Sequence, residues 1–174
     1  MLTDGNQWAL TLNVPQFWRE NPRHICAVNN TIEDRTIFRF NPNMIDTLEY
    51  WDGAAQIRIQ QDPGLRDGIR TWIPLIPANY SLELKRTFFM KNTLAELRAE
   101  ERSSLSLEEA GLLNPALSIK ITFLDGTATA LLVGGQTRRR TGAPAWFVSV
   151  FGSSQVFVIG DQQLAKLKAG FSRG

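Results

Sequence analysis

The sequence predicts an α+β fold: an antiparallel β-meander with one long helix, about 81–101, packed on a face, and a second helix at the C-terminus. Three observations carry that prediction. The last third of the chain alternates apolar and polar residues in four short runs separated by turn signals. Residues 81–101 switch to helical spacing. Strand and helix patterns also do not alternate along the chain, which disfavours a doubly wound nucleotide-binding fold.

Taken in order, "QWALTLNV" (7–14) alternates and reads as a strand, and two prolines in "PQFWRENPRH" break it. "ICAVNN" follows as a short strand candidate. "RTIFRF" (35–40) alternates and ends at Asn41-Pro42, a turn signal. "MIDTLEYW" (44–51) and "AAQIRIQQ" (54–61) form a hairpin around Asp52-Gly53, with Ile57 and Ile59 on one face. "TWIPLIP" (71–77) is extended because its prolines hold it so. In 81–101 Leu82, Phe89, Thr93/Leu94 and Leu97 recur at helical spacing behind Ser81, a residue type suited to N-capping. Ser106 and Glu109 stand at capping-box spacing before Gly111 and Pro115, predicting a helix of one or two turns.

The meander is the clearest part. "LSIKITFL" (117–124) places Leu117, Ile119, Ile121 and Phe123 on one face, Asp125-Gly126 turns the chain, and "TATALLV" (127–133) returns. Gly134 and Gly135 end that strand, and a long connection leads through Gly142-Ala143-Pro144 into "WFVSVF" (146–151) and "QVFVI" (155–159). The last helix runs from Asp161 as N-cap to Gly170 as its stop, with Leu164 and Leu167 inward.

Forty-three per cent apolar residues, with five Trp and ten Phe, supply a core for one domain and argue against disorder. The net charge of +2 hides an asymmetry: residues 1–62 balance at −3 and residues 116–174 at +5. Cys26 is the only cysteine, so neither an internal disulfide nor a thiolate metal cluster can form. There is no apolar run of membrane-spanning length and no signal-peptide pattern, and the abrupt start reads as a piece of a longer protein. Residues 1–33 then read as N-terminal strands or the tail of a preceding repeat, with 34–170 as the α+β domain.

Function classes fall away in turn. His24, the only histidine, lies two residues from Cys26, which admits a Cys–His pair but not a full set of zinc ligands. No G-x-S-x-G element accompanies a serine. Asp46, Glu49, Asp52 and Asp62 cluster in sequence, but nothing pairs them across a cleft, and Asp52 and Glu109 have turn and capping jobs. The chain is therefore read as a non-enzyme that calls for no cofactor and no metal.

The stretch "VGGQTRRRTGAPAWF" (133–147) is the most testable surface. It lacks the Lys-Ser/Thr pair and following helix of a phosphate-binding P-loop. Arg138, Arg139 and Arg140 could still neutralise phosphates at an exposed tip, and Trp146 could stack a base. These four residues form the candidate contact loop, for nucleic acid or another polyanion.

Two passages in order, "DRTIFRFNPNMIDTLEY" (34–50) and then "TWIPLIPANY", "GLLNPALSIKITFLDG", "LLVGG" and "SSQVFVIGDQQLAKL" (71–167), carry a resemblance. They resemble a bacterial domain family of unknown function found in cell-envelope proteins, including auxiliary components of gliding-motility-type ABC transporters. The resemblance spans about 34–168 and implies the same strand–helix–hairpin order. It also implies a non-catalytic interaction or assembly domain with protein partners at the envelope, on the extracytoplasmic side if an upstream anchor holds it; the alternative is a cytoplasmic protein. The arginine triplet and the missing anchor depart from the family pattern, and the resemblance implies no catalytic residue.

Overall fold

A computed structural model describes residues 34–64 and 72–173. The expected strand at 7–14, the pair His24 and Cys26, and the proposed repeat tail at 1–33 lie outside those residues. The described strands are β1 (Ile45–Trp51), β2 (Gln56–Gln61), β3 (Trp72–Ile76), β4 (Glu101–Ser103), β5 (Leu117–Phe123), β6 (Ala128–Arg138), β7 (Pro144–Val150) and β8 (Val156–Gly160). They form one antiparallel sheet in the order β3-β2-β1-β5-β6-β7-β8-β4. Two helices, α1 (Leu84–Ala95) and α2 (Asp161–Ala169), complete the α+β architecture.

Strand alternation sets the core. Leu48 stands between Ile59 and Ile121, and Tyr50 between Ile57 and Ile119, so all six share one face. All six are buried, and the Tyr50 ring lies 5.0 Å from that of Phe171, just past α2. The opposite face of β1, β2 and β5 carries Glu49 between Arg58 and Lys120, an ordinary solvated half. Farther across, β6 is buried without interruption from Ala128 to Gly134, and β8 throughout. That half of the sheet is covered on both sides.

The long helix is shorter than its pattern suggested. It covers 12 residues and starts at an N-cap, Glu83, that makes no side-chain capping bond; Ser81 does not cap it. At the other end tertiary hydrogen bonds outcompete helical ones. Leu97 O accepts from Ile37 N and Phe38 N, Ala95 O accepts from Phe40 N, and Ala99 N donates to Arg35 O. Glu100 N then donates to Val158 O, and β4 follows, a strand inside the stretch expected to be helix. The same contacts explain why 35–40 forms only an isolated bridge, Thr36 with Arg98, rather than a strand.

The inward stripe of α1 keeps Leu94 from the one its apolar residues outlined but turns Phe89 outward. Thr87, Met90, Lys91, Leu94 and Ala95 are buried, whereas Phe89 is 57% exposed. Two of the five buried positions, Thr87 and Lys91, are polar, which apolar periodicity could not register. The 106–115 segment makes its capping box, with Ser106 N donating to Glu109 Oε2 (2.8 Å) and Glu109 N to Ser106 Oγ (3.2 Å), but closes only turns, not a helix. The C-terminal helix buries Leu164 and Leu167 as expected, although Gly160 rather than Asp161 is its N-cap.

Gly134 and Gly135 do not end a strand. β6 runs on to Arg138 through a register shift between Val133 and Gln136, a bulge, and the β6–β7 connection is a tight turn. The glycines serve a close approach instead. Gly135 N donates to Ala110 O (2.9 Å), and a Cβ on Gly134 would stand 2.2 Å from that same carbonyl. The 106–113 turn therefore lies directly on the bulge.

Candidate contact surface

Strand register decides where the four loop residues go. Arg138 is opposite Pro144, Trp146 is opposite Gln136 and Ile159, and Thr137, Ala145 and Gly160 alternate to the other face. The turn closes with Arg139 N donating to Ala143 O (2.9 Å) and Gly142 N to Arg139 O (2.8 Å), at a positive φ on Gly142. Arg138 Nη1 bends back onto Gly142 O (2.8 Å). Arg139 forms an ion pair with Glu100 across the small residues Ala145 and Gly160, where a Cβ on Gly160 would collide with the Glu100 carboxylate. Arg140 N donates to Glu101 Oε1 (3.1 Å). Trp146 is half-buried, and its Nε1 donates to Asp161 Oδ1 (3.0 Å) at the start of α2.

Register therefore leaves Arg138 and Trp146 on one face of the β6–β7 hairpin, while Arg139 turns to Glu100 on the other, so the triplet and the tryptophan do not form a single surface. The triplet is a turn clasped to Glu100 and Glu101, the residues at the entry of edge strand β4, and those carboxylates offset its charge locally. Arg138 and Arg140 remain exposed at the tip, beside a depression of about 230 Å³ lined by Gln136, Thr137, Arg138 and Pro144. No sequence pattern links position 139 to position 100, so this clasp was invisible in the primary structure.

The acidic residues have local partners. Asp46 accepts from Gln60 Nε2 (3.2 Å), and Glu49 from Gln56 Nε2 (2.9 Å). Asp62 Oδ1 accepts from Gly64 N (2.8 Å). Asp52 accepts from Ala55 N, Ala54 N and the Tyr50 hydroxyl, and the two backbone donors above all hold its carboxyl below the usual range. Burial, then Asp52, pushes the Tyr50 phenol up. Among the described residues no group of three or more His, Cys, Asp or Glu is placed to hold a metal ion. No described helix is long and apolar enough to cross a membrane.

Sequence reasoning missed two other features. Lys91 is 1% exposed and donates to Asn43 Oδ1 and Gln61 Oε1, both 3.1 Å away, while the fully buried Gln61 donates onward to Ile45 O. This cluster ties α1 to the ends of β1 and β2. The other is an open groove of about 390 Å³ between α1 and α2, beside Phe89. Only the unexpected polarity of the buried helical stripe could have pointed to the first, and nothing local to the second.

Comparison with protein-family models, with curated proteins and with solved structures gave no match to this chain.

Proposed function

We propose that this chain is a non-catalytic interaction or assembly domain working at the bacterial cell envelope, on its extracytoplasmic face, in the manner of an accessory to a transporter. The motif order of residues 34–168 suggests the setting. The observation that carries the reading is the use made of the acidic side chains: Asp46, Glu49, Asp52, Asp62 and Glu109 each support a turn or a neighbouring side chain. Acids so employed are scaffold, and what the fold offers is surface. Photocrosslinkers placed singly on the open sheet face at position 58, on the hairpin tip at 140 and on α1 at 89 test this in cells. Recovery of the chain in the envelope fraction, joined at one of these positions to a partner protein, is the expected result. A free cytosolic chain, or turnover of a substrate abolished by Asp46→Asn or Glu49→Gln, overturns it.

A second reading, binding of nucleic acid or another polyanion, draws support from the exposure of Arg138 and Arg140 at one tip. Its test is titration with labelled oligonucleotide at two salt concentrations. Binding through this tip weakens steeply with salt and is lost in Arg138→Ala/Arg140→Ala. Binding indifferent to either change removes the tip from consideration.

A further inference from the structure

A partly apolar groove of the described surface lies between the two helices. α1 packs tightly on Gly170, the C-cap of α2, where Thr87 Oγ1 donates to Gly170 O (2.6 Å) and a Cβ would run into Met90 at 2.4 Å. Just outside that contact the helices leave the 390 Å³ groove, with Met90, Thr93 and Ala169 in its lining and Phe89 standing 57% exposed beside it. That volume lies within the about 300–1,000 Å³ range of concave binding sites. A single exposed phenylalanine is unremarkable. One set at an apolar groove is a different matter.

The groove's lining carries positive charge. Arg86 and Lys166 both line the groove, one from each helix, and no acidic residue lines it. Arg86 also pairs with Glu83 (3.1 Å) and donates to Ser172 Oγ (3.3 Å), which fixes its direction and offsets part of its charge, leaving Lys166 the stronger anchor for a carboxylate. A concave apolar slot between two cations suits an occupant that inserts one large apolar side chain and lays carboxylates on either side. A lipid surface would be met better by a protruding apolar ridge than by a recess.

We propose that the α1–α2 groove is a docking site for an acidic peptide segment of a partner protein, anchored by one aromatic or branched aliphatic side chain beside Phe89 and held by carboxylates at Arg86 and Lys166. This rests on the interaction-domain reading and names its surface. A partner crosslinked at position 58 or 140 but never at 89 would defeat the groove and leave the wider reading intact.

The test is fluorescence anisotropy on the whole chain with a labelled twelve-residue probe, a central Leu-Phe pair flanked by aspartates and glutamates. Three controls are a probe with the pair changed to serines, a probe with the acids changed to lysines, and vesicles containing phosphatidylserine. The acidic apolar probe alone should bind, with an affinity falling as salt rises. Phe89→Ser should weaken it at least about tenfold, as truncation of an interface anchor does, and Lys166→Glu should weaken it comparably. Thr93→Trp, which fills the groove without removing an anchor, should block it, with thermal unfolding confirming that each variant folds. Absence of probe binding, equal binding to Phe89→Ser, or binding to vesicles without binding to the probe each overturns the proposal.

Discussion

At the scale of single residues, close contacts rather than propensities govern this protein. Gly134 sits on a β-bulge, and a methyl group there would have to displace the Ala110 carbonyl or the Leu112 side chain, 3.1 Å from the added carbon. Gly134→Ala should cost about 1–3 kcal/mol, the usual range for overpacking, and urea unfolding would register it as a lower midpoint with an unchanged slope. Lys91 makes the complementary case. Lys91→Met keeps the stem but takes the donor from the buried Gln61 oxygen, a loss of about 1–3 kcal/mol for a buried unsatisfied group. The same midpoint measurement checks it; a variant as stable as the parent would mean that water replaces the ammonium. Neither role shows in the primary structure. "LLVGGQ" reads as a strand running into a stop, and a lysine in a helix reads as solvated, because both readings weigh local pattern and both sites are set by segments distant in sequence.

At the scale of elements, local chemistry was legible wherever it acts alone. The β1–β2 hairpin around Asp52-Gly53, the inward Ile57 and Ile59, the meander from β5 to β8, and Leu164 and Leu167 of α2 follow directly from period and turn residues. The helix ends were not legible, since hydrogen bonds from residues 35–40 and β8 claim 95–101 and no local signal announces them. The hairpin turn yields a pH prediction. Asp52 has its folded value lowered, chiefly by Ala55 N and Ala54 N, so its contribution is present above the unfolded value of about 4 and is lost as pH falls toward the folded one. Tyr50 has its folded value raised, chiefly by burial, so its contribution is full below the unfolded value of about 10 and is lost as pH climbs beyond it. Stability measured by urea unfolding across both windows should therefore fall at each end. Asp52→Asn should flatten the acid limb, and Tyr50→Phe should remove its share of the alkaline fall. Limbs unchanged in both variants would assign the pH dependence to other groups.

At the scale of the whole molecule, the order β3-β2-β1-β5-β6-β7-β8-β4 interleaves the two halves of the chain. β1 pairs with β5, contributed from beyond α1 and β4, while β4 crosses to the far edge to pair with β8. Neither half completes its sheet alone, and one continuous cluster of buried residues runs from Ile57 through Ile119 to Phe157. Unfolding should therefore be a single cooperative transition, and the two pairings that join segments distant in sequence, β1 with β5 and β4 with β8, should set the folding rate. Ile119 is the place to test this: it is wholly buried on β5, between Tyr50 of β1 and Leu131 of β6, where the two halves join. Ile119→Val should cost about 0.5–1.5 kcal/mol. In variants whose other tryptophans are Phe, Trp72 reports from edge strand β3 and Trp146 from β7 on the other side of that seam. If the sheet is one unit, Ile119→Val moves both reporters to the same lower urea midpoint, superimposed on the far-UV signal. Separate midpoints would mean that β1–β3 and β5–β8 unfold independently, and that the pairing of β1 with β5 is too weak to couple them.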